Sequence, residues 1–132
     1  MDLKKITIMK INSAKDLLVY KKAYDLAMKI FSITKKFPAE ERYALTSQIR
    51  RSSRSVCMNL NEAWAKRRYE AHFISKLTDC DGEINETSTS FDFARDCGYI
   101  KVDEYEQCIF ECREIGKMMG SMIQNSAKFI IH

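Results

Sequence analysis

The sequence predicts an all-α fold, an antiparallel up-down four-helix bundle. Three observations predict it. In three of the four long segments apolar residues recur in alternating steps of three and four, which sets them on one stripe of a helix; the second segment is less regular but still fits a helix, and no alternation of period two is sustained. One proline and four glycines are too few for a sandwich of short strands joined by frequent turns. The 132 residues leave room for one domain, and 45% hydrophobic with 30% charged residues excludes wholesale disorder.

Residues 1–14 show no clear helical period and read as a mobile N-terminal arm, which leaves 15–132 for the bundle domain. The first helix is predicted at 16–36, burying Leu17, Tyr20, Tyr24, Ala27, Phe31 and Thr34. Phe37-Pro38 ends it, because proline disfavours helical geometry in the residue before it. Ala39, Glu40 and Glu41 suit a helix start, with negative charge at the positive end of the dipole. The second helix is predicted at 43–65 on Leu45, Ile49, Ser52, Val56, Leu60 and Ala63 or Trp64; Ser52, Ser53 and Ser55 would let a neighbour approach closely. A turn at Lys66–Tyr69 is placed on length alone. The third helix, 69–97, follows Phe73, Leu77, Cys80, Ile84, Thr87, Phe91 and Ala94, and Cys97-Gly98 ends it with glycine at the left-handed position. The fourth, 103–127, starts at an Asp103 cap with Glu106 three residues on, and carries Tyr105, Cys108, Cys112, Ile115, Met119, Met122 and Ser126.

Several classes fall away. The longest run without a charge, Met118–Ala127, is far short of the ~20 residues of a membrane span. The N-terminus is interrupted by lysines and lacks a secretory signal, and five cysteines, an odd number, read as reduced thiols in a cytoplasm. No nucleophile–base pair, phosphate loop, dinucleotide fingerprint or complete metal set occurs, so an enzyme is not expected, nor a cofactor. Cys108 and Cys112 stand one turn apart, but the other half of a metal site is missing and both lie on the core stripe.

Charge is distributed unevenly. The net of +4 divides into +4 over residues 1–41, +6 over 42–68, −8 over 69–114 and +2 over the remainder. Such a split favours an anionic partner at one end or head-to-tail self-association. The basic set is Arg42, Arg50, Arg51, Arg54, Lys66, Arg67 and Arg68. At about 100° per residue Arg50, Arg51 and Arg54 share one helix face, and guanidinium groups suit phosphate. The same residues also suit salt bridges to the acidic third and fourth helices, and Arg50 and Arg51 suit a neighbouring subunit. Tyr43, Trp64 and Tyr69 flank the set and suit base stacking, although the helical spacing of Trp64 from Leu60 favours packing in the core or at a subunit interface. The acidic set Asp79, Asp81, Glu83, Glu86, Asp92 and Asp96 lacks the Glu-x-x-His pairs of a di-iron bundle and reads as a solvated face or a dock for basic helices. Asn59 and Glu62 are polar positions suited to hydrogen bonds across the bundle or to a subunit. Gly116 and Gly120 each cost up to about 1 kcal/mol of helix propensity, which predicts a tight contact inside the bundle or between subunits.

Tyr20-Lys-Lys-Ala-Tyr24, Phe37-Pro38, the block Leu45-Thr-Ser-Gln-Ile-Arg-Arg51, Asn59 with Glu62, and Gly98-Tyr99-Ile100 together carry a family likeness. Over roughly 17–125 the chain resembles the four-helix bundle family named for proteins encoded in intervening sequences of bacterial 23S ribosomal RNA genes. That superfamily also holds the accessory variability proteins of diversity-generating retroelements. Two departures stand out. Val56-Cys57-Met58-Asn59 replaces the usual hydrophobic-proline-alanine-asparagine, and Ala63–Tyr69 replaces a glycine-containing turn, which looks more like the retroelement branch without deciding it. The resemblance implies a barrel-like homopentamer and nucleic-acid binding without catalysis. The expectation is an oligomeric accessory protein that cradles structured RNA or an RNA–DNA intermediate and docks a reverse transcriptase or ribosomal component. The alternative is an interaction scaffold that docks such a component without binding nucleic acid.

Overall fold

The computed structural model describes residues 11–132. Four helices carry the fold: α1 (Leu18–Thr34), α2 (Leu45–Ala65), α3 (Glu70–Asp96) and α4 (Val102–Gln124). Short 3-10 turns lie at Ala14–Asp16, Ala39–Glu41 and Ser126–Phe129, and no strand occurs among the described residues. Consecutive helices pack side by side, and α4 closes on α1 over the narrowest of these seams, the arrangement of an up-down bundle. Among the described residues no helix is long and apolar enough to cross a membrane.

The stripes expected for α2, α3 and α4 face the core. Ile49, Val56, Leu60, Phe73, Leu77, Phe91, Ile115 and Met119 are all buried, each contributing roughly 1.5–3 kcal/mol of burial. Ser52, fully buried, meets Thr87 of α3 at 2.8 Å, so the small side chain brings two helices together and satisfies both hydroxyls. Cys108 and Cys112 are core residues, and burial pushes their thiols up to about 11 and about 12.

The first helix departs from expectation. Its buried face is Val19, Ala23, Leu26, Ala27, Ile30 and Thr34, while Tyr24 is half exposed and Tyr20 and Phe31 lie at the edge. The helix is rotated because a tyrosine carries a hydroxyl that keeps to water, whereas Ala23, Leu26 and Ile30 form a parallel stripe with nothing polar to bury.

Boundaries shift for physical reasons. The helix stops at Thr34, whose hydroxyl turns back to the carbonyl of Ile30 at 2.7 Å. Ala39–Glu41 form a 3-10 turn and do not begin α2; Glu41 instead accepts the Leu45 amide at 3.2 Å where α2 starts. Asp103 is not the cap of α4. The helix begins one residue earlier, and Glu104 accepts the Lys101 amide at 3.3 Å. At the end of α3 the amide of Tyr99 reaches the Ala94 carbonyl and that of Gly98 the Arg95 carbonyl, with Gly98 at φ 78°, so the predicted glycine stop is present in full. Of the expected arm, residues 1–10 lie outside the described residues; Ile11 packs against the core and Ala14 is buried, so its end belongs to the bundle. After Gln124 the chain turns and lays the Phe129 ring 5.8 Å from Phe73 and 6.4 Å from Trp64.

The expected tight contact at Gly116 and Gly120 is absent inside the bundle. A Cβ at either position would meet nothing within 4 Å, because both lie away from the neighbouring helices.

Candidate nucleic-acid interface

The basic surface is assembled where the end of α1, the 35–44 connection and the first half of α2 meet. The end of a helix leaves carbonyls without partners and a partial negative charge. Arg50 answers both: its Nε donates to Thr34 Oγ1 at 2.7 Å and its Nη2 to the Phe31 carbonyl at 3.4 Å. The Phe31 ring then gathers three cations, with Lys35 Nζ at 4.7 Å, the Arg50 guanidinium at 4.8 Å and that of Arg54 at 5.9 Å from its centroid. Each such contact is worth about 0.5–1 kcal/mol at an exposed site, less than the rotamer entropy of a long side chain, so it biases these groups without fixing them.

These groups line a groove with two lobes. One, about 310 Å³, lies among Thr34, Lys35, Phe37, Arg42, Thr46 and Arg50. The other, about 510 Å³, runs along α2 past Arg42, Tyr43, Thr46, Arg50, Arg51, Arg54 and Met58. Arg42, Thr46 and Arg50 belong to both, so the lobes are continuous. Tyr43 stands 89% exposed at one end and Met58 65% exposed at the other. Among the described residues no carboxylate pairs with Lys35, Arg42, Arg50 or Arg54; Arg51 alone of the groove arginines has one, Glu86 at 3.3 Å.

The seven basic residues expected as one set therefore divide. Arg42, Arg50, Arg51 and Arg54 come together. Lys66, Arg67 and Arg68 sit past the other end of α2, with Lys66 about 18 Å from Arg54 by the helical rise. Arg67 is turned onto Trp64, its guanidinium 3.6 Å from the ring centroid and its Nε donating to the Trp64 carbonyl at 2.8 Å; burial lowers its pKa. Trp64 packs against the core of its own chain, and its Nε1 is buried without a partner among the described residues. Glu62 reaches Lys76 of α3 at 2.8 Å, and that hydrogen-bonded ammonium lowers its pKa. Asn59 spans no helices and donates to the Ser55 carbonyl at 3.0 Å.

Lys35, Phe31 and Thr46 are missing from the sequence-based set. Lys35 and Lys36 were visible as a basic pair before Pro38, yet nothing in a linear reading places them beside Arg50. On α3, Glu83 has one carboxylate oxygen buried and without a partner among the described residues; burial, and then a hydrogen bond with Glu86, raises its pKa. Among the described residues no three of His, Cys, Asp or Glu come together as a metal site.

No curated protein matches the sequence. A crystal structure of a protein of unknown function from the S23 ribosomal protein family of Bacteroides thetaiotaomicron is similar, with a TM-score of 0.74 and 30% identity over 81% of this chain and 96% of that one. The family model described as 23S rRNA-intervening sequence protein matches residues 15–121, the bundle from its first turn through most of α4. The chain belongs to the 23S rRNA-intervening sequence protein family.

Proposed function

We propose that this chain is a non-enzymatic, oligomeric nucleic-acid-binding accessory protein that holds structured RNA or an RNA–DNA hybrid on the groove of α1 and α2. The observation that carries the reading is the convergence of Lys35, Arg42, Arg50 and Arg54 with no carboxylate partner among the described residues. Like charges held together are repulsive, and phosphate oxygens relieve that repulsion while releasing counterions. Arg50 contributes less as a ligand, because its guanidinium already holds the end of α1. Arg42 and Arg54 therefore supply the mobile contacts. Assembly into a ring, a pentamer in this reading, would repeat the groove and turn weak sites into avidity.

The test is fluorescence anisotropy with a labelled structured RNA across a salt series. Affinity falls steeply with salt, and Arg42→Glu with Arg54→Glu weakens binding at least tenfold and flattens the log–log slope by about two. Binding that ignores both salt and these substitutions in a protein shown to be folded would remove the reading. If the substitutions leave RNA binding unchanged but alter the sedimenting species, the groove is an assembly surface.

A further inference from the structure

We infer that the groove takes an unpaired, single-stranded segment of nucleic acid, with Tyr43 stacking on a base at its mouth; this rests on the nucleic-acid reading above and narrows it. Four features argue for it. Tyr43 lies in the connection just before α2, next to Arg42, with its ring almost wholly in solvent. No aromatic partner lies beside it among the described residues, whereas Tyr20 stacks on Tyr24, and Phe37 and Tyr69 pack at a tilt against Tyr99 and His72. Met58, also exposed, marks the far end of the same groove, with the arginines between. From Thr46 to Met58 the helix rises about 18 Å, the length of about five stacked nucleotides at ~3.4 Å each.

Two kinds of surface thus alternate along one track, flat or soft apolar groups that suit base faces and guanidinium groups that suit phosphates. A duplex buries its base faces within the stack and would offer this surface only phosphates and sugar edges, to which Tyr43 and Met58 add nothing. An unpaired strand offers both, and stacking on an aromatic ring is tolerant of sequence. The lining holds no amide side chain to pair with an adenine edge, and its arginines serve the phosphates along this track. The segment is therefore recognised chiefly as single-stranded, as a loop or a bulge of a folded RNA would be.

The experiment compares three labelled RNAs by anisotropy at one salt concentration: a 12-nucleotide oligouridine, a blunt duplex of the same length, and a hairpin with a large loop. The intact chain is used, alongside Tyr43→Ala, Tyr43→Phe and the Arg42→Glu/Arg54→Glu pair. The intact protein is expected to bind the oligouridine and the hairpin at least tenfold more tightly than the duplex. Tyr43→Ala should lose about tenfold for the unpaired RNAs and less than twofold for the duplex, and Tyr43→Phe should keep wild-type affinity. Circular dichroism shows that the variants are folded, an undemanding condition for a residue so exposed. Equal affinity for strand and duplex overturns the inference, and so does a single-strand preference that Tyr43→Ala leaves intact; in both cases the charge-dependent binding survives. No binding to any of the three RNAs overturns the nucleic-acid reading itself.

Discussion

Glu83 illustrates what a single side chain contributes to a helix seam. Packing of α3 against α2 leaves one of its oxygens without a partner, and the nearby Glu86 adds repulsion. Its pKa in the folded chain is raised above the ordinary 4.5, so the native state holds the proton more tightly than the unfolded one. That contribution favours folding below about pH 4.5 and is lost as pH rises through the folded value. Glu83→Gln should therefore raise Tm at pH 7, with the gain gone at pH 4. Thermal melts at the two pH values decide it; an equal gain at both would point to packing and not to charge. The Arg51–Glu86 pair beside it is exposed, so its loss should be worth no more than about 1 kcal/mol.

At the scale of the element, the glycines separate by backbone geometry. Gly98 occupies the left-handed region at φ 78°, where a Cβ is strained by about 1 kcal/mol, so Gly98→Ala should lower stability in urea unfolding by about that amount. Gly116→Ala and Gly120→Ala should each raise it by up to about 1 kcal/mol, since a Cβ there meets open space within the chain. Loss of a larger species on sizing columns, with no rise in stability, would instead mark the stripe as a contact between subunits. The same elements show what was legible from the residues. Three stripes could be read directly because their aliphatic and phenylalanine side chains have only one favourable place to go. The α1 stripe could not, because spacing alone does not tell a tyrosine that faces the core from one that borders it. The arginine triplet of α2 was visible from its angular spacing. The groove around it was not, since Lys35 and Phe31 join it across a connection whose path depends on a 3-10 turn. Lys66, Arg67 and Arg68 stand apart from that groove for the opposite reason: adjacency in sequence put them in the set, and helical rise takes them about 18 Å from Arg54.

For the whole molecule, the five thiols report on opening. Cys57, Cys80, Cys108 and Cys112 are buried, with pKa values pushed up to about 11 or about 12, and Cys97 is exposed. An aromatic disulfide reagent at pH 8 should therefore release one equivalent of chromophore quickly and the other four only at the rate of unfolding. Two or more fast equivalents would mean that the bundle opens locally. The place for such opening is the seam of α1 and α4, which is narrow and bridged by Lys22 to Glu114 at 2.9 Å and Lys29 to Glu111 at 3.1 Å. Leu17 and Leu18 share one groove there with Met122 and Phe129, so the beginning of α1 and the end of α4 lie side by side. Every other seam joins helices that follow one another directly. The fold is thus a closed ring of four rods whose starting point is arbitrary. A circular permutant that links 132 to 11 through a short flexible joint and is cut between Gly98 and Lys101 would keep all four seams, making α4 and α1 consecutive and leaving the α3–α4 seam as the long-range one.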